Sequence, residues 1–406
     1  MIYDALIVGA GPAGSTAARL LAAAGWSVAL VEKALFPRRK VCGEFISATS
    51  RPLLDLGDIG GGFQSLAGSE IRRVGLFTGA VTASADMPPV EGGRAAWGRA
   101  LGREHLDVLL RDAAVRAGAT LYQPFKLASL ERSGGLHLAR IEGDAGDEAL
   151  SARIVISANG SWERSPLSDP ERRRKGSDLL AFKAHFLGSD LPKDLMPLLM
   201  FPGGYGGMAA LDGGRVSLSC CIRRDVLARS RSRRPGLPAG DAVLAHIREH
   251  CEGVRLALAH AELAGPVLAA GPIRPGMRQA HRDGVFRVGN AAGEAHPIIA
   301  EGISMAMQSS WLLGRRLIAN REFILAGGDT DRIGESYGRD WRRAFGLRLR
   351  AAALFAHLAM HPAGAALAGQ VVRAAPFVLT WGARLSGKAA GDVARDASFT
   401  EAAMQP

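Results

Sequence analysis

Three glycines near the start of the chain are spaced to hold a pyrophosphate. Gly9, Gly11 and Gly14 form a G-x-G-x-x-G turn directly after an apolar run at residues 3–8 (YDALIV). In such a turn the first glycine permits the tight bend, the second lets phosphate oxygens approach the backbone, and the third lets a helix pack on the sheet. The helix that follows turns its unpaired N–H groups and its positive dipole end toward the phosphates. Glu32 lies 18 residues beyond Gly14, where an acid accepts the ribose hydroxyls of a dinucleotide. The motif alone is common, but here a strand precedes it and an acid-terminated strand follows, which makes it a dinucleotide site.

The elements that must position these groups are legible. Residues 3–8 read as a parallel strand covered on both faces, and residues 15–24, rich in Ala and Leu, as a helix that Gly25 stops. A second strand, residues 27–31, ends at Glu32. Residues 95–117 read as a helix with Leu101, Leu106, Leu109 and Leu110 on its apolar face and Arg103 among them. Two later strands end in turns: residues 153–157 run into Ala158-Asn159-Gly160, and residues 284–288 into Gly289-Asn290-Ala291. His296-Pro297 and Glu301-Gly302-Ile303 follow, opening a helix to Ala319. Between residues 179 and 223 short apolar runs separated by Gly, Pro and Asp read as an antiparallel sheet. Residues 241–252 read as a helix, and residues 263–276, punctuated by Pro and Gly, as a return segment. Residues 329–388 read as helices broken at His361-Pro362, and the Ala/Asp-rich tail beyond Lys388 as loose.

Composition narrows the function class. The chain has 406 residues, with 50 Lys and Arg against 39 Asp and Glu, a formal charge of +11. Its short basic clusters, such as residues 37–40, 172–175 and 229–234, lack aromatic interleaving or zinc-finger spacing, so no nucleic-acid partner is expected. Four cysteines exclude a disulfide scaffold, favour a reducing, cytoplasmic compartment, and leave no metal-ligand pattern. Glycine, at 51 residues, is well above ordinary usage and serves tight turns and close backbone approaches. The uncharged run at residues 351–372 is dominated by Ala and Gly and broken by histidines and a proline, too weakly apolar for a spanning helix. With Arg339, Arg342, Arg343, Arg348 and Arg350 before it, peripheral contact with an inner membrane surface is expected.

Taken together, the motifs resemble the family of flavin-dependent oxidoreductases that includes aromatic hydroxylases, flavin halogenases and geranylgeranyl reductases. The likeness runs from residue 3 to about 320. It rests on the glycine turn, the Arg103 helix, Ala158-Asn159-Gly160, and Gly289-Asn290-Ala291 leading to Glu301-Gly302-Ile303. Residues 37–44 (PRRKVCGE) are similar to the P-R-x-K-x-C-G segment of the halogenase and prenyl-reductase branches, and residues 201–207 (FPGGYGG) to their glycine-rich strand pair. The chain departs from the family at Asn159 and Asn290, where Asp is usual, and at Ala300, where Gly is frequent.

The resemblance implies FAD as cofactor. Ala13 and its neighbours would give N–H groups to the pyrophosphate, Glu32 and Lys33 would meet the adenosine ribose end, and Leu127 would offer backbone to adenine. Arg103 and Asn290 would hold the pyrophosphate or ribityl region. Cys42, Gly43 and Pro297 would lie against the flavin ring, with Gly302 and Ile303 at its N1/O2 edge. The electron donor would be NADPH or NADH, docked transiently or acting through a separate reductase. Met200, Phe201, Tyr205 and Met208 are expected to line an apolar pocket for a hydrophobic small molecule. His296, whose side chain titrates near neutrality, and Cys42 are the candidate catalytic groups.

The fold class expected is α/β: a Rossmann-like FAD-binding domain (residues 1–75, 101–165 and 276–325) interrupted by a β-rich substrate domain. That domain takes residues 166–275 with an excursion at 76–100, and residues 326–406 form C-terminal helices and tail. The favoured reaction is hydroxylation of a phenolic or hydrophobic molecule through a flavin C4a-hydroperoxide. One alternative is double-bond reduction of the geranylgeranyl reductase type; another is electron transfer to a protein partner with no organic substrate. The halogenase branch is disfavoured, because a W-x-W-x-I-P motif is missing and no lysine occurs between Lys40 and Lys126.

Overall fold

A computed structural model describes residues 1–56, 59–90, 96–144, 146–161, 165–168 and 173–388. In chain order its principal elements are β1 (Ile2–Val8), α1 (Pro12–Ala23), β2 (Val28–Val31), β3 (Arg73–Thr78), β4 (Val81–Asp86), α2 (Arg103–Arg116) and β5 (Thr120–Tyr122). Then come β6 (Phe125–Ser133), β7 (Leu136–Gly143), β8 (Gly146–Ser157), β9 (Leu179–Leu187), β10 (Leu195–Phe201), β11 (Gly204–Ala210) and β12 (Val216–Arg223). The chain closes with β13 (Leu268–Ile273), β14 (Val285–Arg287), α3 (Gly302–Ala319), α4 (Asp331–Met360), α5 (Pro362–Ala374) and α6 (Phe377–Leu385).

The first sheet has a parallel core in the order β14-β8-β1-β2-β5, and the β6-β7 hairpin joins antiparallel to β8. Its register decides where a ligand sits. Val8 is level with both Val31 and Ser157, and Ser157 is level with Arg287. Four strands therefore end on one line, and the residues next in sequence, Gly9, Glu32, Ala158 and the Val288-Gly289 pair, share one edge. That carboxyl edge is where open α/β sheets bind ligands. Helices α1 and α3 pack together on one face over Ala5, Ile7, Leu21, Leu30 and Ile156, all fully buried. Each large apolar side chain so buried contributes about 1.5–3 kcal/mol. Ser310 on α3 donates to the Ala13 carbonyl at 2.7 Å, which fixes the two helices against each other.

The second sheet runs β9-β12-β11-β10-β3-β4, antiparallel except for the β10–β3 pair, and β13 adds to β9. One face packs on the helix Ala239–His250 through Phe182, Leu199, Phe201, Met208 and Ile247. The other face turns toward the first sheet's carboxyl edge. Cys220 and Cys221 point to opposite faces and are unbridged.

Several expected boundaries shift. The excursion into the second sheet begins at Arg73, three residues before the expected 76. The helix expected at 95–117 starts only at Arg103, because Gly98 lies so close to a neighbouring strand that a β-carbon there would come 2.5 Å from the Ile46 carbonyl. Residues 99–100 pair with Phe45–Ile46 instead. The return segment contains a strand, β13, which Pro272 and Gly271 disguise. Helices at 331–385 do break at His361, as expected. The tail beyond Lys388 and Arg172 lie outside the described residues.

Candidate active site

One cavity, of about 280 Å³, runs from the glycine turn, under α3's N-terminus, to the near face of the second sheet. At its first end the geometry of the turn is forced. Gly9 has φ +105°, and a β-carbon there would sit 2.7 Å from the Ala158 carbonyl oxygen; one on Gly14 would sit 1.8 Å from the Gly9 carbonyl. Gly11 caps α1 without any side-chain hydrogen bond, so the first helical N–H groups, Ala13's among them, remain open. Glu32 is buried and accepts from the N–H groups of Ala10 and Ala34, both at 2.9 Å, with Arg38 beside it at 3.4 Å. Lys33 and Leu127 line the same mouth.

Arg103 crosses this end. Its Nη2 would stand 3.7 Å from a β-carbon at Gly11, and its guanidinium is held bidentate by fully buried Asp107 at 2.6 and 2.7 Å. Burial works against the guanidinium's charge, but Asp107 and the adjoining Cys42 thiol reverse that and raise its pKa further. Asp107 was not among the expected site residues, although its i+4 spacing from Arg103 on one helix face is a readable signal.

At the far end, Cys42, Gly43, His296, Pro297, Gly302 and Ile303 border the cavity. Glu301 precedes α3 without capping it through its side chain, so the N–H groups of Gly302 and Ile303 also face inward. A β-carbon on Gly43 or Gly302 would meet nothing within 4 Å, so open space lies over both. Ala300 adopts the left-handed conformation (φ +51°) that a glycine accepts without strain. From just beyond α6, Lys388 bonds the Ile299 carbonyl and the Glu301 carboxylate, tying this turn to that helix. Two open helix ends, a ribose acid, an arginine between them and a flat space over two glycines fit an extended FAD. Asn290 and Arg103 would hold its middle.

A buried ionic hub fixes the loop that carries Cys42 and Gly43. Glu44, fully buried at φ +62°, accepts from the Arg103 N–H at 3.0 Å, pairs with Lys183 Nζ and meets His185 Nε2 at 2.9 Å. Lys183 also donates to the Lys40 carbonyl at 3.2 Å, and Ser219 to that of Cys42 at 2.8 Å. Burial alone would push Glu44 up, but the His185 hydrogen bond and the Lys183 charge outweigh it and hold its pKa below the ordinary value. The loop is thus clamped to β9 and β12 and to the start of α2 together. None of Glu44, Lys183 or His185 was expected in the site.

His296 departs from expectation. Its Nδ1 is 2.9 Å from the Tyr205 hydroxyl, and desolvation lowers its pKa to about 4. It is therefore neutral near pH 7 and does not titrate there. A depressed histidine contributes stability that is present above the unfolded value of 6.5 and is lost as pH falls toward 4. The ring is partly exposed, so about 1–2 kcal/mol is expected. Urea unfolding at pH 7.5 and 4.5 should show a pH slope smaller by that amount in His296→Asn. An equal slope in both proteins would contradict a partly desolvated, neutral ring.

The missing acid at position 290 reappears one turn on. Asn290 Nδ2 donates to Glu294 at 3.1 Å, and Glu294 also accepts from Ser161 at 2.8 Å and from the Arg274 N–H at 3.2 Å. Burial raises the Glu294 pKa. The expected substrate pocket is also corrected. Tyr205 and Met208 border the cavity, the Met208 side chain also packing in the second sheet's core, whereas Phe201 lies in that core on the sheet's opposite face. Met200 shares the cavity-side face of β10, but Met196 and Leu198 are the residues of that face that line it.

The profile of the FAD binding domain family matches residues 2–208. The menaquinone reductase of Mycolicibacterium smegmatis is 26% identical over 341 residues, which cover 81% of this chain and 78% of that protein. Digeranylgeranylglycerophospholipid reductase 2 of Methanopyrus kandleri is 26% identical over 373 residues, 88% of each chain. The myxobacterial chondrochloren halogenase, an FAD-dependent enzyme, superimposes with a TM-score of 0.76 over 99% of this chain and 97% of its own, at 19% identity, a likeness of fold. This chain belongs to the FAD binding domain family of flavin-dependent oxidoreductases.

Proposed function

We propose that the protein is an FAD-dependent reductase that saturates carbon–carbon double bonds of an isoprenoid lipid. The observation that carries this reading is the carbon lining of the cavity's substrate end. Phe45, Met196, Leu198 and Ala300 close it, and the same apolar cluster continues into Val372 and Leu379 of the C-terminal helices. An alkyl chain loses nothing by entering such a surface, whereas an ionised substrate would be desolvated without a partner. The two relatives described above, aligned over 78% and 88% of their length, are named as reductases, one of them of a geranylgeranyl lipid.

Saturation adds a hydride to one carbon and a proton to the other. Bound FAD, reduced by NADPH, NADH or a reductase partner, supplies the hydride. The chain's own groups supply the rest. The Glu44 hub holds the loop that carries Cys42, whose thiol stands at the cavity wall as the candidate donor of the proton. Tyr205, bonded to neutral His296, keeps a hydroxyl beside that end without carrying charge there.

Monooxygenation uses the same cofactor site, and the Tyr205–His296 pair favours it as a second reading, since the pair offers a hydrogen-bonding partner to a phenolic hydroxyl. The experiment that separates them is anaerobic single turnover of dithionite-reduced protein with a geranylgeranyl lipid. Mass spectrometry should show one H₂ gained per bond saturated. Product formed only in air, carrying oxygen from O₂, would replace this reading with hydroxylation.

A further inference from the structure

From residue 341 to residue 388 the chain carries seven cations, Arg342, Arg343, Arg348, Arg350, Arg373, Arg384 and Lys388, and no carboxylate. This stretch forms the second half of α4 and all of α5 and α6. Their inner sides are buried through Phe345, Leu349 and Ala352, Val372, and Leu379 and Ala383. Their outer sides are apolar where solvent would favour polar groups: Leu354 (60% exposed), Leu367 (60%), Phe377 (63%), Trp381 (58%) and Leu385 (59%). Arg342, Arg343, Arg350, Arg373 and Arg384 are exposed on the same three helices.

We infer that the outer sides of α4, α5 and α6 form a docking surface for an anionic lipid bilayer. Amphipathic helices with arginines on the polar side and Trp, Phe and Leu on the apolar side lie in the bilayer interface. Trp is enriched at that depth in membranes because its ring is amphipathic. Each basic residue near an anionic surface adds an attraction that salt screens. The geometry favours lying on the membrane over crossing it. Among the described residues no single helix is long and apolar enough to span, and α4 and α5 meet at an angle of 104°.

A second copy of this chain is a poorer occupant. Twofold pairing sets a surface against itself, so arginines would face arginines with no carboxylate between them. The docking face also has a place in the fold. The inner sides of α5 and α6 belong to the apolar cluster that closes the cavity, so an apolar path links the outer surface to the site. The docking surface does not depend on which reaction that site performs.

The test is flotation of the FAD-loaded protein with vesicles of phosphatidylcholine alone or mixed with phosphatidylglycerol. Binding is expected to the mixed vesicles at low salt, at least about tenfold above neutral vesicles, and to fall as salt rises. The double variant Phe377→Ser/Trp381→Ser should lose that binding. Leu367→Ser should weaken it, and both should keep the flavin spectrum, since these side chains are exposed. No flotation with anionic vesicles at low salt would overturn the proposal. Unchanged flotation of both variants would do so too, as would a stable dimer in solution that the double variant dissociates.

Discussion

Glu44→Ala should destabilise the protein by about 3–5 kcal/mol, the cost of leaving a buried charge without its partner. Lys183 is 1% exposed, and Glu44 is its counter-ion. Without that anion, Lys183 keeps the Lys40 carbonyl and the more distant Glu104 charge, while the Arg103 N–H and His185 lose their acceptor. Lys183→Met should cost a similar amount, because it strands the carboxylate in turn. The double variant Glu44→Gln/Lys183→Met removes both charges, and the amide can still meet Arg103 and His185. It should cost less than either single change. Urea unfolding of all three measures the coupling, and additive single effects would show that the two charges do not compensate each other. The sign with pH also follows. Since Glu44's pKa is lowered on folding, its contribution is present above about 4.5 and is lost as pH falls through the folded value.

The hub shows where sequence reading stops. Short-range features were legible: the glycine turn, the strand before it and Glu32 after it lie within about 30 residues, and each restricts the next. The hub joins residues 141 apart, and no local rule links them. A trace was nonetheless present. In residues 181–186 (AFKAHF) the strand period of two puts Ala181, Lys183 and His185 on one face and Phe182, Ala184 and Phe186 on the other. Two ionisable groups on an inner face need a buried partner, and Glu44 is it. Phe201 was misplaced for a related reason. When both faces of a strand are apolar, alternation sorts residues into two sets without telling core from cavity. The absent acid at 290 illustrates a third limit, because Glu294 reaches the same space from the next turn and motif positions count only residue identity.

Gly11→Val should abolish FAD binding and leave the fold intact, with affinity falling at least about 100-fold, or about 2.7 kcal/mol. The reason is a difference between two glycines of one turn. At Gly14 a β-carbon would stand 1.8 Å from the Gly9 carbonyl, a backbone atom that cannot yield, so Gly14→Ala should disturb the turn itself. At Gly11 the nearest heavy atom would be Arg103 Nη2 at 3.7 Å, an ordinary contact, and φ there is −73°, which valine adopts readily. The space that valine fills is the one left between α1's open N–H groups and the Arg103 guanidinium, where two phosphates would lie. The flavin-free variant should therefore unfold within about 1 kcal/mol of the flavin-free parent, since Gly11 makes no side-chain cap to lose. Titration of both with FAD, followed by flavin fluorescence, separates the outcomes. Full-strength binding by Gly11→Val would move the pyrophosphate away from this turn, and with it the assignment of Ala13, Glu32 and Arg103 to the cofactor.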